Sequence, residues 1–150
     1  MAPLQYRPAV VSDVAECIEL RGRTRENAVS ASRLATLGIT AESWGGDIQA
    51  GWLPGQVCID GSRIVGYCFG DRRSGEIVVL ALLPTHEGRG IGKALLSRMV
   101  QELRSAGFSR LHLGCSSNPT HRSYGFYRHL GWRSTGTLDD RNDEILELTV

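Results

Sequence analysis

Several features that mark large classes of protein are missing from this sequence. Its 17 basic and 16 acidic side chains give a formal net charge of +1, which provides no field for wrapping nucleic acid or coating an anionic membrane. No apolar run approaches the roughly 18–20 residues of a membrane-spanning helix. The first residues, MAPLQYRPAVVSD, have neither the basic start nor the apolar middle of a secretory signal. We therefore expect a cytoplasmic protein without a nucleic-acid or membrane partner.

Cysteine and histidine are also sparse, with four of each and no CxxC motif. The cysteines lie scattered in apolar segments, which predicts reduced, buried thiols rather than a disulfide framework or a metal site. The histidines form no cluster with the spacing of metal ligands. No repeat, low-complexity segment or linker-like stretch divides the 150 residues, so we predict one domain over 1–150.

The first third of the chain predicts a strand at 4–7 followed by short helices. In the first helix, apolar residues and Arg21 recur at helical spacing. A second helix ends at Gly38, because glycine is a common C-terminal stop. Thr40 caps a third helix that runs through Trp44.

After Gln56 the hydrophobic period changes to that of strands. Asp60-Gly61 predicts a hairpin, and the apolar run EIVVLALL predicts a buried central strand that Pro84 ends. A helix of about four turns follows from Gly90. The remaining predicted elements are a strand at 109–115, a short helix at 120–131 and an antiparallel pair at 132–138 and 144–150.

Three glycines stand where this strand passes into the long helix. The first N–H groups of a helix lack intrahelical partners and carry the positive end of its dipole. Gly88, Gly90 and Gly92 remove side chains there, while Arg89 and Lys93 add charge, so the segment suits a phosphate group. The alternative is a tight turn without a ligand.

Two familiar phosphate loops do not fit this segment. The P-loop pattern GxxxxGK[ST] fails because Ala94 follows Lys93. The dinucleotide pattern GxGxxG fails because Lys93 stands where the third glycine belongs.

The segment instead resembles the signature of the GNAT superfamily of acetyl-CoA-dependent N-acetyltransferases. That signature is [Q/R]xxGx[G/A] at a strand-to-helix junction, and EGRGIG (87–92) follows it except that Glu87 replaces the usual Gln or Arg. The family has a second element, in which a tyrosine is followed four residues later by a glycine and then by Phe or Trp. The segment YRHLGW (127–132) resembles it. Together the two motifs identify the chain as a member.

The resemblance implies an α/β fold with a mixed, mostly antiparallel central sheet flanked by helices. One splayed strand pair would hold acetyl-CoA as co-substrate, without a metal. Its pantetheine arm would pair with the strand at 76–83, and its pyrophosphate would cap the following helix. The implied cofactor-binding residues are Leu80, Ala81, Leu82, Gly88, Arg89, Gly90, Ile91, Gly92 and Lys93.

Two catalytic residues follow from the resemblance. Tyr127 is the expected general acid toward the CoA sulfur; its alternative role is that of a core aromatic. Glu76, at the start of the central strand, is the expected base, because a glutamate beside an apolar cleft has a raised pKa. Its alternative role is that of an ordinary turn residue. A backbone N–H near Leu82 is the expected oxyanion donor.

The expected activity is direct transfer of an acetyl group to a primary amine of a small molecule or peptide. Arg25, Glu26 and Asn27 are expected to contact the acceptor, although they also suit an ordinary polar loop. Two alternatives are a non-catalytic acetyl-CoA sensor and an acetyltransferase toxin that acts on aminoacyl-tRNA. Dimers are common in the superfamily, so the resemblance is compatible with a homodimer.

Overall fold

The computed structural model describes residues 3–150, and within them seven strands alternate with five α-helices. Short 3₁₀ turns at Val11–Asp13 and Pro84–His86 precede α1 and α4. The elements are β1 (Gln5–Pro8), α1 (Val14–Arg21), α2 (Ala31–Thr36), α3 (Ala41–Gln49), β2 (Gly55–Asp60), β3 (Arg63–Gly70), β4 (Ile77–Leu82), α4 (Ile91–Ser105), β5 (Arg110–Cys115), α5 (Arg122–His129), β6 (Arg133–Leu138) and β7 (Glu144–Thr149).

Local sequence signals account for most of these boundaries. The Thr40 hydroxyl accepts the Ser43 backbone N–H at 3.0 Å, and the Ser43 hydroxyl accepts the Thr40 N–H in return, so Thr40 caps α3 as predicted. The helix runs on past Trp44 to Gln49. Gly61 has φ +66° in the predicted turn between β2 and β3.

The strands form two sheets that confirm the predicted α/β fold with mostly antiparallel strands. The first sheet has the order β1-β2-β3-β4 and the second β5-β7-β6, and all five ladders within them are antiparallel. The sheets are joined by a single parallel bridge between Glu76 and His112, where the His112 N–H donates to the Gly75 carbonyl at 3.2 Å. Beyond this bridge, no ladder between β4 and β5 forms in the part of the chain that the structure describes.

The prediction that EIVVLALL is a buried central strand is wrong about its burial and its place within the first sheet. β4 is the outer strand of the first sheet, and its burial is uneven: Ile77 and Ala81 are buried, whereas Val78 is 37% exposed. Its apolar run arose because one side packs on the core while the other lines a cavity. Both environments favour apolar side chains, so periodicity alone does not distinguish them.

A continuous core lies beneath the first sheet and continues into the second. Leu95, Met99 and Leu103 of α4 are fully buried, as are Leu111 of β5 and Leu146 of β7. All four cysteines are buried and unpaired, as predicted from their apolar surroundings. No helix within residues 3–150 is long and apolar enough to cross a membrane.

Leu95→Ala should destabilise the protein by about 2–5 kcal/mol, because it leaves a cavity beneath β3. The Leu95 side chain approaches β3 so closely that a methyl group at Gly66 would lie 3.1 Å from its Cδ1 atom. The measurement is urea unfolding, with Leu138→Ala as control because Leu138 is 51% exposed. Equal losses in the two variants would contradict the assigned packing of α4.

Candidate active site

A cavity of about 900 Å³ opens between β4 and β5. Its walls are the free side of β4, the end of β5, the start of α4, α5 and the loop that follows α1. The volume lies within the range of small-molecule sites. Most of the residues expected to bind cofactor or acceptor line it, namely Leu80, Leu82, Gly88, Gly90, Ile91, Gly92, Lys93, Arg25, Glu26 and Asn27, and so does the expected general acid Tyr127.

The backbone of β4 directs alternate N–H groups into this cavity. The Leu83 N–H donates to the Val65 carbonyl at 2.9 Å, and donors in an antiparallel strand alternate in direction. The N–H groups of Leu80 and Leu82 therefore point away from β3, toward the gap. That of Ala81 points toward Tyr67, its partner in β3. The Ala81 side chain lies on the face of β4 that packs on the core, so it is buried and does not line the cavity, unlike its two neighbours.

The glycine segment closes one end of the cavity. Gly88 and Gly90 have φ +79° and +78°, and a Cβ at either would meet no heavy atom within 4 Å. Gly90 is the N-cap of α4 and supplies no side-chain cap, so the first N–H groups of that helix remain available to a ligand. Arg89 is exposed and, in contrast to Lys93, is not part of the cavity wall.

Tyr127 reaches the cavity from α5 while only 9% exposed. Its ring makes edge contacts with Phe126 and Trp132, at centroid distances of 5.0 and 6.1 Å. Burial raises the pKa of Tyr127 above its usual range, and the nearby Arg21 guanidinium opposes part of that rise. The phenol therefore stays protonated at neutral pH. It combines the predicted core position with a place in the cavity wall.

Glu76 is not brought together with these residues. It lies at the bridge between β4 and β5, below the cavity, and is absent from the cavity wall. Burial raises the pKa of the Glu76 carboxyl, whereas the neighbouring His112 lowers it. Glu76 therefore has the raised pKa expected of a base, but it lacks the expected access to the cavity.

Glu87 joins three segments around the cavity mouth. Its carboxylate accepts the Arg25 Nε–H at 2.8 Å and lies 3.0 Å from Arg122 Nη1. The Arg122 backbone N–H in turn donates to Glu26 Oε1 at 2.9 Å. We call this set of four residues the Glu87 clasp. Arg25 and Glu26, expected at the acceptor, thus connect the loop after α1 to the glycine segment and to α5.

Asp143 and Arg21 are charged residues of the cavity wall that the sequence interpretation missed as site residues. Asp143 precedes β7 and lies over β5, where a methyl group at Gly114 would be 3.6 Å from its Cβ. Burial, and then the charge of Asp139, raises the pKa of Asp143. Arg21 ends α1 and enters the cavity from the other side. Its signal was present, since a cation stands on an otherwise apolar helical stripe.

Comparison with known proteins identifies the protein family. The model of the Acetyltransferase (GNAT) family matches residues 20–132, which is more than half of the chain. The protein therefore belongs to this family and is an acyltransferase. No curated protein sequence matches the chain significantly.

Solved structures show the same fold at low sequence identity. PaiA N-acetyltransferase from Thermoplasma acidophilum, solved with coenzyme A, is 18% identical, with a TM-score of 0.82 over 99% of this chain and 100% of that one. YncA from Salmonella typhimurium, solved with acetyl-CoA, is 18% identical, with a TM-score of 0.76 over 99% and 94%. An N-acetyltransferase from Staphylococcus aureus Mu50 is 17% identical, with a TM-score of 0.77 over 99% of each chain.

Glu87→Gln should tighten CoA binding by roughly 2–5-fold, because it removes a carboxylate beside the glycine segment and releases two arginines. Isothermal titration calorimetry with CoA measures the change. Glu42→Gln is the control, since Glu42 lies exposed in the first turn of α3. Pantetheine, which lacks the phosphates, should bind both variants as it binds the wild type. A matching gain for pantetheine would mean that Glu87 acts on the cavity at large.

Proposed function

We propose that the protein transfers the acetyl group of acetyl-CoA directly to a primary amine of a small molecule or peptide. One observation carries the proposal: a single cavity combines the free edge of β4, the uncapped start of α4 and the protonated phenol of Tyr127. Membership of the family supplies the reaction class.

The residues present fit acetyl-CoA in two respects. The N–H groups of Leu80 and Leu82 face the gap, and that of Leu80 is a donor for an amide-rich pantetheine arm, which would replace the missing neighbour strand. The open space above Gly88 and Gly90 admits a pyrophosphate close to the first N–H groups of α4, where Lys93 adds positive charge. Acetyl-CoA, when bound, supplies an acetyl thioester with a thiol leaving group.

Two groups of the chain are suited to stabilise the transfer. The Leu82 N–H points into the gap and can donate to a carbonyl oxygen that gains negative charge. Tyr127 holds a proton at its phenolic oxygen and can release it to a departing sulfur. A non-catalytic sensor would require no such donor at this place.

The proton of the acceptor ammonium has two candidate recipients. Glu76 is the residue chosen from the sequence, and it would act through water because it does not line the cavity. Asp143 lines the cavity directly, on the β5 side. The pKa of each carboxyl is raised by burial, so either would titrate closer to neutral pH than an ordinary carboxyl.

Tyr127→Phe should lower kcat by about 10²–10⁴-fold, because the proton donor is lost while the ring packing is kept. The assay is thiol release from acetyl-CoA over a panel of primary amines. Tyr124→Phe is the control, since Tyr124 lies on the same helix, stacks against Arg128 and does not line the cavity. Full turnover by Tyr127→Phe would leave Tyr127 with a packing role only. If wild-type protein binds CoA but acetylates no amine, the sensor alternative replaces the enzyme.

The pH dependence of kcat/KM should distinguish the two carboxylates. A base accepts a proton only when ionised, so the rate should rise with pH through the pKa of that group and be lost below it. Because burial raises both pKa values, this limb should lie above the range of exposed carboxyl groups. Profiles of Glu76→Gln and Asp143→Asn, with an acceptor of known pKa, identify the base as the residue whose loss removes the limb. A limb unchanged in both variants would assign the proton to bulk water.

A further inference from the structure

The Arg21 side chain is a cation without a partner at the wall of the cavity. Among residues 3–150, no group makes a hydrogen bond or ion pair with its guanidinium, and Nη1 is shielded from solvent. The helix that carries it is otherwise anchored by the fully buried Val14 and Cys17, which fixes the direction of its inner stripe. The position of Arg21 is therefore set by the packing of α1.

This arrangement is costly unless a ligand completes it. A buried polar group without a partner loses hydration and gains nothing in return, and the cost is larger for a charge. Burial is the main cause that lowers the pKa of Arg21. Arginine nevertheless stays protonated in proteins near neutral pH, so the site keeps a positive charge.

The other arginine and lysine side chains of the cavity wall, Arg25, Arg122 and Lys93, either pair with a carboxylate or lie at the start of α4. Arg25 and Arg122 pair with Glu87 at the mouth, and Lys93 stands in the first turn of α4, on the side suited to phosphate. Arg21 lines the cavity from α1 and is close enough to Tyr127 to influence the pKa of its phenol. Its charge therefore lies near the proposed point of acetyl transfer.

We propose that Arg21 binds a carboxylate of the acceptor, so that the acceptor is an amine that also carries a carboxylate, as an amino acid does. The inference rests on the proposed function for the amine part of this substrate. A guanidinium offers a planar fork of donors that matches a carboxylate in two parallel hydrogen bonds. Polyamines are disfavoured by the same charge, because a second ammonium group near Arg21 would be repelled.

The test compares related acceptors in wild-type protein and in Arg21→Met. Each L-amino acid of the panel is measured beside its amide and its decarboxylated amine, with kcat/KM for acetyl-CoA-dependent thiol release as readout. We expect the wild type to favour the carboxylate form by about 10–100-fold, as for a hydrogen-bonded charge pair. Arg21→Met should remove this preference and leave the rate with the decarboxylated amine unchanged or higher.

Matched variants distinguish a loss of carboxylate recognition from a loss of folding. Arg23→Met is the control, because Arg23 is an exposed arginine close by that pairs with Glu19 on the surface. Since Arg21 has no partner among residues 3–150, Arg21→Met should unfold at the same temperature as wild type or higher. Should it fail to fold, Arg21→Lys replaces it and is expected to retain part of the preference.

A binding measurement, which requires no turnover, tests the inference independently of the enzyme assay. Calorimetry on the CoA-loaded protein should show amino acids binding more tightly than their amides in wild type, and equally in Arg21→Met. Turnover of all amines without a carboxylate preference, or an equal loss for every acceptor in Arg21→Met, would overturn the inference and leave the acetyltransferase intact. Carboxylate-selective binding without turnover would support it while contradicting the proposed function.

Discussion

The unpaired edge of β4 is the constraint on which the site depends. Strand edges usually pair, are covered or are blunted, because free backbone groups recruit other chains. Within residues 3–150, the backbone pairing between β4 and β5 is confined to the bridge of Glu76 and His112, and the two sheets part from there. The parting leaves the N–H groups of Leu80 and Leu82 facing a cavity. Without it the two sheets would be continuous, and Tyr127 would have no space to face.

Charge is distributed unevenly around this cavity, and the distribution explains the unusual residue at the start of the glycine motif. A carboxylate at position 87 stands beside a segment suited to an anion, which is unfavourable by itself. Arg25 and Arg122 contact that carboxylate and offset its charge, while Lys93 adds a positive charge to the cavity wall. Arg21 adds a cation from the end of α1, while Asp143 places a carboxylate on the β5 side. The cavity thus has a different polarity at each wall.

The features that depend on neighbouring residues could be predicted from the sequence. The Thr40 cap, the hairpin turn at Gly61 and the turn at Gly88 and Gly90 before α4 are confirmed, because each depends on a short local pattern. The mostly antiparallel sheet was implied by the family resemblance and is also confirmed. The burial of β4 was predicted wrongly, since an apolar run does not show whether a strand faces a core or a cavity. The Glu87 clasp could not be foreseen, because its residues are far apart in the chain. Asp143 was missed for the same reason, whereas Arg21 carried a local signal in its helical stripe.

The Glu87 clasp has a thermodynamic consequence for how two ligands share the protein. One carboxylate connects the glycine segment, the loop that follows α1 and the start of α5, so a ligand that displaces Glu87 also changes the restraint on the other two segments. Such linkage is reciprocal: if the first ligand changes the affinity for the second by some factor, the second changes that for the first by the same factor. The order in which cofactor and acceptor bind is then governed by the two ion pairs of Glu87 at the rim, and salt concentration becomes a means of altering it.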